Sequence, residues 1–289
     1  MDTSANSRYK ASATADGSWP SLGHYFAPLM NERVAVGVFL AFLASSMFAG
    51  CVKTKESSPN SEETMRIFVF SRTQGFRHES IERGVAVIEQ MGAENGFQTE
   101  HGEDQGLFTR ERLGRYKAVV WLNTTGNVLD ADQQTAFEDY IRRGGAYVGV
   151  HSAADTEYDW PWYGQLLGGN AWFNKHPPIQ AATLQVVDQS HPSTRQLPIS
   201  FSITDEWYNF KNNPQGSVNV LITIDEASYD PGAGAMGNPH PIAWYHEFDG
   251  GRAWYTGLGH REVLYDDTDF GMHLLGGLLW AMGAAENAQ

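Results

Sequence analysis

The sequence predicts an α/β fold built on a mainly parallel sheet, and three observations lead there. Short continuous apolar runs alternate with amphipathic stretches, glycines close those stretches, and the pattern from Met65 to Gly283 is long enough for one substantial core. Met65-Arg-Ile-Phe-Val-Phe70 reads as the first strand. A helix follows from Ser80, a candidate N-cap, to about Asn95, and Gly96 ends it. Lys117-Ala-Val-Val-Trp-Leu122 is a second buried strand. Asp130 and Gln133 have capping-box spacing and open a helix that Gly144-Gly145 terminates, ahead of a third strand, Ala146–Val150. Strands apolar on both faces need cover on both, which crossover helices supply. In such sheets ligands bind beyond the C-terminal ends of the strands.

The second half follows another pattern. Leu184–Val187, Val218–Ile224, Ile242–Phe248 and Arg252–Thr256 read as strands, the last two joined through Asp249-Gly250-Gly251 as a hairpin. The closing helix, Phe270 to Met282, is apolar nearly all round and so belongs against the sheet, with Gly271, Gly276 and Gly277 permitting close approach.

Ahead of this domain, Val34 to Cys51 is an apolar run closed by Ala49, Gly50 and the chain's single cysteine. It is short for a membrane span, and small residues precede the cysteine, as a cleaved lipoprotein signal requires. An uncut N-terminal anchor is the alternative. On the first reading residues 1–29 are an unstructured extension outside the mature protein, and 30–50 are the signal. Cys51 is the lipidation site, 51–64 a flexible tether, 65–283 the domain and 284–289 a tail. The expected location is the cell envelope. Val52, rather than Asp, after the cysteine points to an outer membrane, facing periplasm or surface, if the host is Gram-negative.

The formal net charge is −14, and residues 1–50 carry equal numbers of acidic and basic side chains, so the mature chain keeps that charge. With no Lys/Arg stripe to offset it, nucleic acid is excluded as a partner. With no cysteine beyond position 51, disulfides, thiolate metal sites and cysteine nucleophiles are excluded from the domain. Histidines and carboxylates must carry any chemistry.

Those residues gather at strand ends. His78 lies in the loop after the first strand, His151 directly follows the third, and His260 follows the last hairpin strand. Singly, a strand-end histidine is more often structural than catalytic; three at one edge reverse that expectation. Asp205-Glu206 adds adjacent carboxylates, of which an extended backbone lets only one face the site. Glu206 is preferred for its reach. Flanking Trp207 and Tyr208 suit a pocket wall or a sugar-stacking surface. An imidazole at an exposed elbow, as His151 is read here, has few core contacts.

His78, His151, Glu206 and His260 suit two chemistries: a divalent metal such as zinc held by imidazole and carboxylate, or direct acid/base catalysis. No short His-x-x-x-His spacing occurs, so a metal site must be assembled from separate loops.

Gly75-Phe-Arg-His78, Gly145–Ala153, Asp205-Glu-Trp-Tyr208, Pro241-Ile-Ala-Trp244, Tyr255-Thr-Gly-Leu-Gly-His260 and His273–Ala281 together resemble the ThuA-like family, named for trehalose utilisation. The resemblance spans essentially the whole domain. It implies a flavodoxin-like three-layer sandwich of the class I glutamine amidotransferase-like type. Those enzymes seat a nucleophilic cysteine in a Gly-x-Cys-x-Gly elbow, where this chain has Gly149-Val-His-Ser-Ala153. Glutamine hydrolysis is therefore rejected. Ser152, one residue past the elbow, is a poor substitute nucleophile but a candidate substrate contact. The resemblance also implies a sugar substrate, including a 3-keto-glycoside, whose C2 hydrogen a histidine or carboxylate could abstract. The resulting expectation is an exported carbohydrate-active hydrolase, lyase or isomerase. A non-catalytic carbohydrate-binding lipoprotein, with 9 Trp and 12 Tyr for platforms, is the alternative.

Arg77 and Arg261, beside site histidines, are candidate substrate contacts. His176, His191, His240 and His246 are read as turn or packing residues, and the glycine-rich stretch Tyr229–His240 as a mobile lid.

Overall fold

The computed structural model describes residues 64–284. The assigned extension, the signal, Cys51, most of the tether and the end of the tail lie outside the described residues.

A nine-stranded sheet forms the middle layer. Its parallel part comprises β1 (Arg66–Phe70), β2 (Gln98–Gly102), β3 (Ala118–Leu122), β4 (Ala146–Val150) and β11 (Gly251–Thr256), in the spatial order β2-β1-β3-β4-β11. β10 (His240–Phe248), β9 (Asn219–Asp225), β6 (Gln180–Val186) and β7 (Ser200–Asp205) extend it in that order by antiparallel pairing, so β10 and β6 alone run against the rest. β3 and β4 are buried along their whole length, as continuous apolar strands covered on both faces must be. β5 (Phe173–Lys175) and β8 (Asn209–Phe210) make a separate two-stranded ribbon.

Helices α1 (Ile81–Asn95), α2 (Arg110–Leu113), α3 (Ala131–Arg142), α4 (Pro161–Leu166) and α5 (Thr268–Ala281) complete the layers. α1 and α5 share one face. Gly84 of α1 sits over Leu122, and Gly277 of α5 lies so close to Trp254 that a Cβ there would meet the indole at 2.4 Å. α3 and α4 cover the other face, where Phe137 and Tyr163 pack on Trp121 with ring centroids 5.4 and 5.0 Å apart. This is the three-layer arrangement the sequence predicts.

Local signals explain several boundaries. The Asp130 side chain accepts from the backbone N–H of Asp132 and Gln133 while Gln133 returns a bond to Asp130 N–H, the full capping box. Gly96 ends α1 in the left-handed region at φ 77°. The β10–β11 turn has positive φ at both Asp249 and Gly250, the backbone a two-residue hairpin turn needs to match strand twist. Ser80 departs from expectation. It makes no side-chain cap, because its hydroxyl is spent on a distant partner described below.

Removing the Asp130 cap should cost about 1 kcal/mol without altering the fold. Urea denaturation of Asp130→Ala is expected to show a lower midpoint with an unchanged slope; an unchanged midpoint would mean the box contributes nothing in context.

Candidate metal and acid–base centre

The chain turns sharply where β4 ends. His151 takes φ 47°, a left-handed conformation uncommon for a residue with a side chain, and Tyr255 Oη donates to its carbonyl at 2.8 Å. The expected elbow is present, but its histidine is fully buried rather than exposed. The Tyr208 ring lies 4.2 Å away, centroid to centroid, which corrects the expectation of few core contacts. Since a carbonyl can only accept, His151 Nδ1–H donates to Gly257 O at 2.9 Å, which turns Nε2 the other way.

Nε2 points into a cluster. His151 Nε2 is 3.3 Å from His260 Nδ1 and 3.4 Å from Glu206 Oε2, and His260 Nδ1 is itself 3.4 Å from the same carboxylate oxygen. His78 completes the group: one ligand atom from each of His78, His151, Glu206 and His260 lies within 4.8 Å of every other. Ser152 Oγ is 3.3 Å from His78 Nδ1, which leaves the other imidazole nitrogen for the centre. All four residues follow the C-terminal ends of sheet strands, where the fold predicts a ligand.

The two carboxylates divide the work. Asp205, the last residue of β7, is buried and accepts backbone N–H groups from Gly259 at 2.9 Å, Arg261 at 3.1 Å and His260 at 3.4 Å, so it anchors the turn that presents His260. It is not a member of the four-atom cluster. Glu206 is, and its second oxygen, Oε1, meets His176 Nδ1 at 3.1 Å. His176, read from its tandem prolines as a turn residue, thus joins the site from the end of β5. The sequence held a signal for it: it is the nearest histidine after an aromatic run, and its ring stacks with Phe173, which packs at a tilt on Tyr208 with centroids 4.3 Å apart.

Other candidates lie elsewhere. Arg77 is held by Glu82 at 2.8 Å and Glu103 at 2.9 Å. The Arg261 guanidinium reaches the Thr204 carbonyl. Trp207 is fully buried, with its indole N–H on Gln180 O, so it offers no surface to a ligand. His191, His240, His246 and His273 all have structural partners away from the cluster. The 229–240 stretch is tied down by Glu226, which accepts from Met236 N and Gly237 N and meets His240 Nδ1 at 2.9 Å.

Electrostatics keep two of the imidazoles, His78 and His260, uncharged beside one carboxylate. Burial, reinforced by His151, His260 and His176, lowers the His78 pKa to about 2. Burial and His151 lower His260 to about 4 against the opposing pull of Glu206. For Glu206, burial works upward, but the hydrogen bond from His151 and the neighbouring histidines bring it below the ordinary carboxylate range. Burial raises Asp205 despite the N–H groups it accepts.

The donor set and spacing fit a small divalent ion. Three donor atoms 3.3–3.4 Å apart are spaced as donors that share one small ion with bonds of about 2.0–2.1 Å would be. His151 also has the carbonyl partner on its far nitrogen that metal-bound histidines usually have.

Comparison with known proteins agrees with the fold. A family model described as ThuA, trehalose utilisation, matches residues 66–281. Among solved structures, a ThuA-like protein from Bacteroides uniformis is similar at TM-score 0.65 and 24% identity, covering 75% of this chain and 91% of that one. One from Parabacteroides merdae has TM-score 0.60 and 20% identity, covering 76% and 90%. A β-galactosidase from Bacillus circulans has TM-score 0.50 and 14% identity, over 78% of this chain and 31% of that one. No curated protein matches.

Stability should fall in acid. His78 and His260, with buried His191 (about 3) and His273 (about 4), all sit below the ordinary imidazole value near 6.5. Between that value and the folded ones the unfolded chain binds more protons, so stability is full above about 6.5 and falls as pH drops, by up to about 1.4 kcal/mol per pH unit for each histidine. Melting of metal-free protein from pH 7.5 to pH 4.5 tests this; a flat profile would mean these imidazoles are charged in the fold.

Proposed function

The chain belongs to the ThuA trehalose-utilisation family, and we propose that it is an exported, lipid-anchored enzyme acting on carbohydrate or a 3-keto-glycoside. The convergence of His78, His151, Glu206 and His260 within 4.8 Å carries this reading. These four would hold a divalent metal such as zinc, whose chemistry when bound is to polarise a substrate oxygen.

The protein's own residues do the rest. In a 3-keto-glycoside the C2 hydrogen is acidic. His176, half-exposed at the rim on the free oxygen of Glu206, is the base positioned to accept it. The electron pair left at C2 moves toward the C3 oxygen, and its collapse back forms a C1–C2 double bond as the C1–O bond breaks, the C1 substituent leaving as an alcohol with the proton that His176 took up. Glu206 orients His176 and keeps its accepting nitrogen at the rim. Buried Tyr208 and Tyr255 fix His151, and Asp205 fixes His260, so the cluster needs little rearrangement on binding. A purely sugar-binding role is less well supported, since such a site needs no set of convergent titratable groups and fully buried Trp207 offers no platform.

Glu206→Gln changes one oxygen to nitrogen at nearly constant volume. Titrated with zinc and assayed on disaccharides and their 3-keto derivatives, it is expected to lose at least tenfold in zinc affinity and most of its turnover, with melting of the metal-free form little changed. Wild-type zinc affinity with intact turnover would remove Glu206 from the centre. Full turnover of stripped wild-type protein would instead leave direct acid/base catalysis.

Membrane attachment is proposed through Cys51, with an outer-membrane destination if the host has one. No helix among the described residues is long and apolar enough to cross a membrane. Cys51→Ser should move the protein from the detergent phase to the aqueous phase on partitioning; unchanged partitioning would point to an uncut anchor.

A further inference from the structure

Five large apolar side chains are well exposed among the described residues, and three of them, Phe76, Ile179 and Val263, lie within three positions of a site histidine, His78, His176 and His260 respectively. Isolated exposed apolar residues need no explanation. One that touches a site histidine does.

Phe76 is the most informative. It is 65% exposed, yet its ring meets His78 edge-to-face with centroids 4.9 Å apart and planes at 86°. Its exposure is not looseness. Gln74 N–H donates to Thr125 O at 2.7 Å, Gly75 N–H donates to Thr125 Oγ1 at 3.2 Å, and that hydroxyl donates to Phe76 O at 2.8 Å. The next residue, Arg77, is fixed by its two glutamates. The loop therefore holds a largely exposed aromatic ring beside the wall of the centre. Trp207 and Tyr208, the pair the sequence nominates for stacking, are both buried.

We propose that Phe76 is the platform on which a pyranose ring of the substrate lies, beside the ring whose carbons react. The proposal rests on the reading of the centre as glycoside-processing, and it deepens it: the preferred substrates carry at least two rings. The C–H face of a pyranose is apolar and flat, and an aromatic ring beside a polar centre buries it without competing for its hydroxyls.

The test uses zinc-loaded full-length chain in detergent, titrated calorimetrically with trehalose and with glucose. Phe76→Ala should weaken trehalose binding by roughly three- to tenfold and leave glucose affinity, zinc stoichiometry and melting temperature unchanged, while Phe76→Tyr restores the loss. Equal trehalose affinity in wild type and Phe76→Ala would overturn the platform alone. So would light scattering that finds a dimer dissolved by Phe76→Ala with sugar affinity intact, since a second copy would then be the occupant. If wild type binds zinc but neither sugar, the glycoside reading itself fails, and the platform fails with it.

Discussion

The backbone at His151 constrains everything around it. A residue with a side chain held at φ 47° costs on the order of 1–3 kcal/mol and persists only where its surroundings over-determine it. Here they do so from three directions: Tyr255 holds the carbonyl, Gly257 O fixes the ring nitrogen, and Tyr208 covers the ring face. Two of those contacts come from β11 and the turn after it, and the parallel register of Val150 with Thr256 brings that turn alongside. The sheet pairing thereby sets the imidazole's orientation, and the orientation decides which nitrogen the centre receives.

A second set of contacts ties the site loops to one another. Gly259 adopts φ 113°, open in practice only to glycine. Its N–H goes to Asp205, while its carbonyl accepts from the Ser80 hydroxyl and the Asn123 side-chain amide. Loops after β1, β3, β7 and β11 meet at this one peptide. The placement of His260 is therefore a property of the whole sheet edge, and Asp205, which touches none of the clustered donor atoms directly, acts by positioning.

Much of this was legible in the chain because it is local. The Asp130–Gln133 box, Gly96 and Asp249-Gly250 act over a few residues, and their spacing alone specifies the backbone they form. His78, His151 and His260 were legible because strand ends at one sheet edge are an addressable place in this fold, even without knowing which strands pair. What escaped is long-range. The Ser80 hydroxyl prefers a carbonyl 179 positions away to its own helix, and nothing near Ser80 announces that. His176 was hidden because tandem proline describes the loop's conformation and not its destination. Trp207 was misread because an extended segment leaving a sheet edge can bury either side, and its alternation with Glu206 sends the carboxylate inward to the site and the indole into the core.

The electrostatics of the cluster follow from the same geometry. Burial, with His151 adding to it, keeps His78 and His260 uncharged at ordinary pH, while the neighbouring histidines hold Glu206 below the ordinary carboxylate range. His151 Nε2 and His260 Nδ1 lie 3.3 Å apart with Glu206 Oε2 3.4 Å from each. Imidazole nitrogens gathered on one carboxylate oxygen suit a small dication better than an anion. Any cation held there would compete with protons for those nitrogens, so its affinity would weaken in acid, whereas a thiolate site would release protons from sulfur. Tyr208 above His151 and Phe173 beyond it pack the inner side of the cluster, while partly exposed His260 and His176 leave its outer side open to a ligand.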